Sequence, residues 1–289
     1  IPKLDLLKLP PKGQFETVEE FYSTWFHELI HSTGHKSRLD RLTDYDQLEF
    51  KSVEELTAEI GSAYFAYDAG IIFVTTGFAE VVALESKTGK VLWRKNLGAP
   101  MRSAPTARGG RLFATTMNNQ LFALNSKTGE TLWQHRGLPE IASVLGGASP
   151  AVDQGVVVAP FASGELVALK AENGRILWTD SLTSRRRTDV VSTLSHIRGR
   201  PIIDRGRVFA ISHGGLMVSI DLRSGQSIWD KEIGGLASPW VAGEYIFLLT
   251  NDAEVAAISR ENGSIFWVQT LPRFEDPVEK DSPIVWTGP

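Results

Sequence analysis

A short histidine-containing segment near the start of the sequence has the spacing of a zinc-binding helix. His27 and His31 are four residues apart, so both would project from one face of a helix and could each give a ring nitrogen to one Zn²⁺ ion. Glu28 follows the first histidine, where its carboxylate could take a proton from a metal-bound water. The pattern therefore predicts the chemistry of a zinc-dependent peptidase, with Glu28 as the catalytic base.

A third zinc ligand must come from another element, and an acidic helix predicted from Ser52 to Tyr64 offers candidates. Glu55 and Glu59 have the spacing of the gluzincin arrangement, in which a glutamate ligand is followed four residues later by an acid that orients a histidine. We therefore expect Glu55 to be the third zinc ligand and Glu59 to orient a histidine ligand. A solvated acidic helix face remains the alternative for Glu54 and Glu59.

The element that must position the two histidines is predicted to be an amphipathic helix over residues 17–34. Apolar residues recur along it at intervals of three and four, and Thr17 and Glu20 fit a capping box that satisfies free N–H groups at its start. Phe21–His35, Ser37–Arg41 and Glu54–Gly61 resemble the zincin-like metallopeptidase domain of ArdC-type antirestriction proteins. That resemblance covers about residues 1–66 and implies a cytoplasmic zinc peptidase.

A different pattern, an internal repeat, dominates the chain from about residue 67. Five segments share a glycine four residues before a tryptophan, and the tryptophans are 40, 45, 51 and 38 residues apart. The five pairs are Gly89/Trp93, Gly129/Trp133, Gly174/Trp178, Gly225/Trp229 and Gly263/Trp267. Because five of the eight tryptophans occupy this position, we expect them to pack between repeated units rather than to bind a ligand.

Each repeat is predicted to form four short strands. An apolar strand over Val81–Leu84 meets a polar turn ending at Gly89, where glycine supplies a positive φ, and the strand that follows carries Trp93. Ser103–Thr106 and Arg111–Thr115 are candidates for two further strands. Four strands in about 40 residues are typical of a β-propeller blade. The fold predicted for the chain is mainly β: a partial propeller of about five blades over 67–289, preceded by a short α-helical zincin-like segment over 1–66.

The repeats are similar to the BamB family of PQQ-like β-propellers, which act in outer-membrane protein assembly. The residues that carry the resemblance are Val74–Phe78, Glu80–Leu84, Leu145–Pro150, Ser212–Gly215 and Leu271–Pro277. The resemblance implies an eight-bladed ring at the periplasmic side of the outer membrane. It also implies a non-enzymatic scaffold whose partner is a subunit of the β-barrel assembly machinery.

Quinone-dependent dehydrogenases share this type of repeat, but we expect no PQQ cofactor here. Those enzymes typically hold the quinone with calcium, acidic ligands and often an adjacent cysteine pair, whereas this sequence contains no cysteine. The lipid-bearing N-terminal cysteine of the BamB family is also absent, since the sequence contains no cysteine. We expect a fragment that is incomplete at both ends of the propeller, since the sequence starts at Ile1 and ends where another blade should begin, at Ser282–Trp286.

The longest interval between repeats contains an additional basic segment, residues 184–198. One interpretation is a solvated charged loop. The other is a docking surface for the periplasmic domains of the barrel-inserting subunit, because binding residues concentrate on loops held by a rigid scaffold and arginine pairs bidentately with carboxylates. The residues predicted to contact the partner are Arg187, Leu194, His196 and Arg198.

Charge and hydropathy exclude two other classes of function. The net charge is −4, which gives no electrostatic basis for a dedicated nucleic-acid binder. No apolar run is long enough to cross a membrane. The two resemblances imply different compartments, periplasm for the propeller and cytoplasm for the first segment. Both patterns are interrupted around Tyr64–Ile71, so we expect a chimeric or misassembled coding sequence joined there, with an evolved fusion as the alternative.

Overall fold

The computed structural model describes residues 65–139, 147–183, 196–276 and 279–288. These ranges contain β-strands and no helix. The strands are, in chain order, β1 (Phe65–Asp68), β2 (Ile71–Thr75), β3 (Glu80–Glu85), β4 (Val91–Asn96), β5 (Thr106–Arg108), β6 (Arg111–Thr116), β7 (Gln120–Asn125), β8 (Thr131–Arg136), β9 (Ala151–Asp153), β10 (Val156–Pro160), β11 (Glu165–Lys170), β12 (Ile176–Ser181), β13 (Ile202–Asp204), β14 (Arg207–Ile211), β15 (Met217–Asp221), β16 (Ser227–Lys231), β17 (Trp240–Ala242), β18 (Tyr245–Leu249), β19 (Glu254–Ser259), β20 (Ile265–Thr270), β21 (Phe274–Asp276) and β22 (Asp281–Pro283).

The first twenty of these strands form five antiparallel sheets of four consecutive strands each. Within every sheet each strand pairs with its neighbour in sequence, so each sheet is a simple meander. The middle strands are apolar along nearly their whole length, as in Val156–Pro160, where all five residues are buried. Continuous burial of this kind means that both faces of the sheet are covered, here by the sheets on either side.

The sheets follow one another around a common axis as the blades of a propeller. The first strand of each sheet contacts the first strand of the next, from β1 to β5, β9, β13 and β17, so these strands are innermost. Four clusters of buried side chains fill the spaces between consecutive sheets, and Phe73, Phe113, Val158 and Phe209 each belong to a different one. The prediction of a mainly β chain with about five propeller blades is confirmed for the described residues.

A repeated joint connects each sheet to the next. The indole Nε1 of Trp93, on the outer strand of the first sheet, donates a hydrogen bond to the carbonyl of Ser126 in the second sheet, at 3.0 Å. The indole also covers Gly129: a Cβ on that glycine would lie 2.7 Å from Cε3 of Trp93. Gly129 has a φ of 74° in the turn between β7 and β8, so both its backbone and the indole exclude a side chain.

The same joint occurs at the next three boundaries. The bonds are Trp133 Nε1 to Ala171 O at 3.1 Å, Trp178 Nε1 to Leu222 O at 2.8 Å and Trp229 Nε1 to Arg260 O at 3.2 Å. On the outer strand of each sheet, a β-bulge lies directly before the tryptophan. The bulge increases the twist of the strand and directs the indole toward the neighbouring sheet. The expectation that the tryptophans pack between blades is therefore correct for the four joints.

The fifth sheet presents its outer strand to solvent. All six residues of β20 are exposed, and Trp267 is 44% exposed. At the first sheet, a Cβ on Gly89 would meet nothing within 4 Å. Trp267 and Gly89 therefore occupy the joint positions at the two ends of the series without the contacts that the four inner joints make among the described residues.

One expectation about strands requires correction. Of the strand predicted over Ser103–Thr106, only Thr106 lies in a strand, because β5 begins there. Pro105 precedes it and has no N–H to donate to a sheet, so the residues before it form part of a connection instead. Near the end of the chain, residues 281–283 pair with 274–276 in a two-stranded sheet, and Trp286 Nε1 bonds to the carbonyl of Pro272 at 2.7 Å.

Candidate protein-docking surface

One end of the five sheets collects the long connections of the chain. In an up-and-down meander, the connection from the outer strand of one sheet to the inner strand of the next emerges at the same end as the turn between the second and third strands. We name this end the connection face. The short turns that end in Gly129 and its equivalents lie at the opposite end, which we name the hairpin face.

Each connection reaches the axis through a proline that stands directly before an innermost strand. Pro105, Pro150, Pro201 and Pro239 precede β5, β9, β13 and β17 by one residue. Proline fixes φ near −65° and restricts the residue before it to extended conformations, so it suits the entry to a strand. The residues preceding these prolines therefore sit at equivalent places in four repeats.

These equivalent places surround a cavity of about 840 Å³ on the connection face. Its volume is within the range of small-ligand and peptide sites. It is lined by Arg102, Ser103, Ala104, Gly147, Ser149, Arg198, Gly199, Arg200, His213, Leu236, Ala237, Ser238, Leu249, Thr250, Asn251, Ala253 and residues 284–288.

The charges around this cavity are all of one sign. Arg102, Arg198 and Arg200 line it, and among the residues that the structure describes no aspartate or glutamate does. None of the three guanidinium groups forms an ion pair with another residue in the described part of the chain. Burial of the Arg200 side chain among its neighbours lowers the pKa of its guanidinium group, although the residue still reaches solvent. Positive charge is thus concentrated here in a chain whose net charge is −4.

Close backbone packing holds Arg198 and Arg200 at the rim. Gly199 lies between them, and a Cβ on Gly199 would be 2.5 Å from the carbonyl oxygen of Ala237. The N–H of Arg200 donates to Oγ of Ser238 at 2.8 Å, which links the connection before β13 to the connection before β17. The two arginines are therefore carried by a backbone segment that is fixed against its neighbour.

A chain of hydroxyl groups fixes the connection that carries Arg102. The hydroxyl of Thr75 donates to the carbonyl of Ser103 at 2.7 Å. Thr115 donates to the carbonyl of Ala148 at 3.0 Å, so the 2.9 Å bond between Ser103 and Thr115 has the Ser103 hydroxyl as donor. These bonds connect three successive sheets beneath the cavity, and each satisfies a buried polar group.

Of the residues predicted to contact a partner, the structure describes two. Arg198 is exposed and lines the cavity. His196 is only 3% exposed, and its carbonyl accepts a hydrogen bond from the N–H of His213 at 2.9 Å, so it anchors the segment from inside. Arg187 and Leu194 lie outside the described residues.

Sequence reasoning missed Arg102 and Arg200. The signal was available in the prolines: Arg102 and Arg198 each stand three residues before the proline that opens an innermost strand, and Arg200 stands one residue before it. Aligning the repeats on these prolines, as well as on the glycine–tryptophan pairs, would have placed all three arginines at one end of the propeller.

The residues of the predicted zinc site, His27, His31, Glu28, Glu55 and Glu59, all lie outside the described residues. Within the ranges that the structure describes, no three histidine, aspartate or glutamate side chains form a group that could hold a metal ion. The same ranges contain no helix with the length and hydropathy needed to cross a membrane.

Comparison with known proteins identifies relatives of the repeat region. The family model described as outer membrane protein assembly factor BamB matches residues 37–269. The factor of this name from Salmonella typhimurium is 34% identical over 202 residues, which are 70% of this chain and 51% of the relative. The one from Escherichia coli K12 has the same identity and coverage. The chain thus spans about half the length of the curated relatives it matches.

Solved structures agree on the fold. The crystal structure of BamB from Moraxella catarrhalis matches with a TM-score of 0.65 and 23% identity, over 69% of this chain and 61% of that one. A europium-containing methanol dehydrogenase matches with a TM-score of 0.60 and 12% identity, over 76% of this chain and 53% of the enzyme. At these identities the similarity shows the propeller fold alone. The zinc-peptidase hypothesis gains no support from these relatives.

Proposed function

Because this chain belongs to the BamB family of outer membrane protein assembly factors, we propose that it is a non-enzymatic β-propeller scaffold that mediates protein–protein contacts in outer-membrane β-barrel assembly. The observation that carries the proposal is the family match over residues 37–269, which includes the described sheets up to β19 and nearly all of β20. The proposed location is the periplasmic side of the outer membrane, and the proposed partner is the barrel-inserting subunit of the assembly machinery, through its periplasmic domains.

The connection face is the part of the scaffold that suits this role. Its connections are fixed by bonds between sheets, such as the 2.8 Å bond from Arg200 N–H to Ser238 Oγ, so a partner would meet a surface that is already ordered. Arginine is enriched at the centres of protein interfaces because its planar group binds carboxylates in a defined geometry. Of the residues predicted to contact the partner, Arg198 is exposed and lines the cavity on this face.

Charge reversal at two positions tests the proposal. The double variant Arg187→Glu/Arg198→Glu is compared with the unmodified chain in a pull-down with the purified periplasmic domains of the barrel-inserting subunit. The expected result is a loss of binding, since like charges would meet at the interface. Arg175→Glu is the matched control, because Arg175 is an exposed arginine in a turn of the hairpin face. Unchanged binding by the double variant would remove these residues from the interface, and no binding by the unmodified chain would overturn the proposed function.

A further inference from the structure

The cavity on the connection face combines positive charge, a fixed frame and an apolar wall. We infer that it binds an extended acidic peptide segment of a partner protein, with partner carboxylates on Arg102, Arg198 and Arg200. The inference rests on the proposed function, and it names the chemistry of the segment that would dock.

Charge complementarity is the first argument. Arg102, Arg198 and Arg200 line one cavity of about 840 Å³, and no acidic side chain from the described ranges shares its walls. Most charged groups of a protein surface are interspersed with groups of the opposite sign. Three arginines without a carboxylate among the lining residues therefore leave a site whose charge is balanced by an incoming anion.

The arrangement of the arginines is the second argument. They belong to two equivalent connections, and Arg198 and Arg200 flank the tightly packed Gly199. Arg198 and Arg200 are two residues apart in one fixed connection and both are exposed, so they can meet carboxylates that are themselves spaced along an extended partner. Neighbouring groups around Arg200 lower the pKa of its guanidinium by desolvation, yet the residue is exposed, so a partner carboxylate can reach it.

The apolar wall favours a peptide over a simple anion. Leu236, Leu249 and residues 284–286 line the same cavity as the arginines, and Val285 is 85% exposed. A phosphate group would use the arginines and leave these side chains in water. A peptide in which acidic and apolar residues alternate would cover both, which is the combination found at the centre and rim of protein interfaces.

The overall charge of the chain argues against a long polyanion as the occupant. Nucleic acids and anionic surfaces are attracted by the summed field of a protein, and this chain carries a net charge of −4. A short acidic segment inside the cavity instead responds mainly to the arginines that surround it, because the field falls off within about 8 Å at physiological salt.

The experiment measures the affinity of a fluorescein-labelled peptide of alternating glutamate and leucine by fluorescence anisotropy, using the full 289-residue chain. The comparison peptide alternates glutamine and leucine. The double variant Arg102→Glu/Arg200→Glu is expected to lose at least about tenfold in affinity for the acidic peptide. Arg175→Glu, with the same change of charge at the hairpin face, is expected to stay within about twofold. Thermal unfolding followed by circular dichroism confirms that each variant is folded.

Three results would overturn the inference: no preference for the acidic peptide, an equal loss in Arg175→Glu, or binding of inorganic phosphate as tight as that of the peptide. The pull-down with the barrel-inserting subunit separates the two proposals. A chain that binds the acidic peptide but not the subunit contradicts the proposed function alone. A chain that binds the subunit but not the acidic peptide contradicts this inference alone.

Discussion

Trp178 lies so close to Gly225 of the following sheet that a Cβ on the glycine would be 2.5 Å from both Cβ and Cγ of the tryptophan. The same indole donates a 2.8 Å hydrogen bond to the carbonyl of Leu222 and is 8% exposed. The joint therefore combines close packing against the glycine, a hydrogen bond and burial of the indole. Each of these contributions can be tested by a separate substitution.

Gly225→Ala is expected to destabilise the fold strongly. The φ of Gly225 is 72°, which disfavours alanine, and the added methyl group would also collide with Trp178. Gly89→Ala is the matched control, because Gly89 has a φ of 70° but open space around it. Urea unfolding should give a loss of about 1 kcal/mol for Gly89→Ala and about 2–4 kcal/mol for Gly225→Ala, which adds the cost of overpacking. Equal losses of the free energy of unfolding would show that Trp178 moves aside for the added methyl group at little cost.

Trp178→Phe is expected to cost more than Trp267→Phe. The first change removes a buried donor and leaves the carbonyl of Leu222 without its partner, which costs about 1–3 kcal/mol in addition to the lost contacts. Trp267 is 44% exposed, so its replacement should change the free energy of unfolding by well under that amount. Chemical denaturation of both variants checks the difference, and a reversed order would contradict the assignment of the joint.

Gly199→Ala is expected to disturb the docking surface. A methyl group 2.5 Å from the carbonyl oxygen of Ala237 must push the two connections apart, which moves Arg198 and Arg200. The affinity for the acidic peptide should fall by about tenfold or more. Gly155→Ala serves as the control, since Gly155 has a φ of 76° in an open turn of the hairpin face. That variant should lose some stability and keep the affinity of the unmodified chain.

His135 is expected to make the fold less stable as the pH falls from 7 to 5. Burial lowers the pKa of His135, and the nearby Glu165 opposes this only in part. The folded state therefore favours the neutral ring, whereas the unfolded state takes up a proton around pH 6.5, so stability is present above that pH and is lost below it. His135→Gln should flatten this dependence in urea unfolding at pH 5, 6 and 7, and His213→Gln is the control. An unchanged slope in His135→Gln would show that other groups cause the loss.

The repeated sheets could be predicted from the sequence because their determinants are local. Gly129 and Trp133 share one hairpin, and an apolar strand followed by a turn glycine and then a tryptophan is visible at a fixed spacing. The start of β5 was harder to predict, because the short segment Ser103–Thr106 resembles a strand until the missing N–H of Pro105 is considered.

The docking cavity could not be predicted in the same way. Arg102 and Arg200 are almost a hundred residues apart in the sequence, and they line one cavity only because successive sheets stack around an axis. The burial of His196 was not predictable either, since its backbone bonds to His213 in the turn between β14 and β15, which is distant from the basic segment in the repeat pattern. Such convergence depends on how sheets are arranged, which a single repeat does not encode.

The joint between sheets also has a consequence for how this molecule can diverge. At this joint Trp93 contacts a main-chain carbonyl and a glycine of the next sheet, so the joint does not depend on the identity of exposed side chains elsewhere. Exposed residues of the connection face can therefore be replaced without altering the joints, as long as the close packing at Gly199 and the bond from Thr75 to Ser103 are kept. The exposed arginines at positions 102, 198 and 200 are residues of this kind, so a scaffold of fixed shape can change its binding preference one residue at a time.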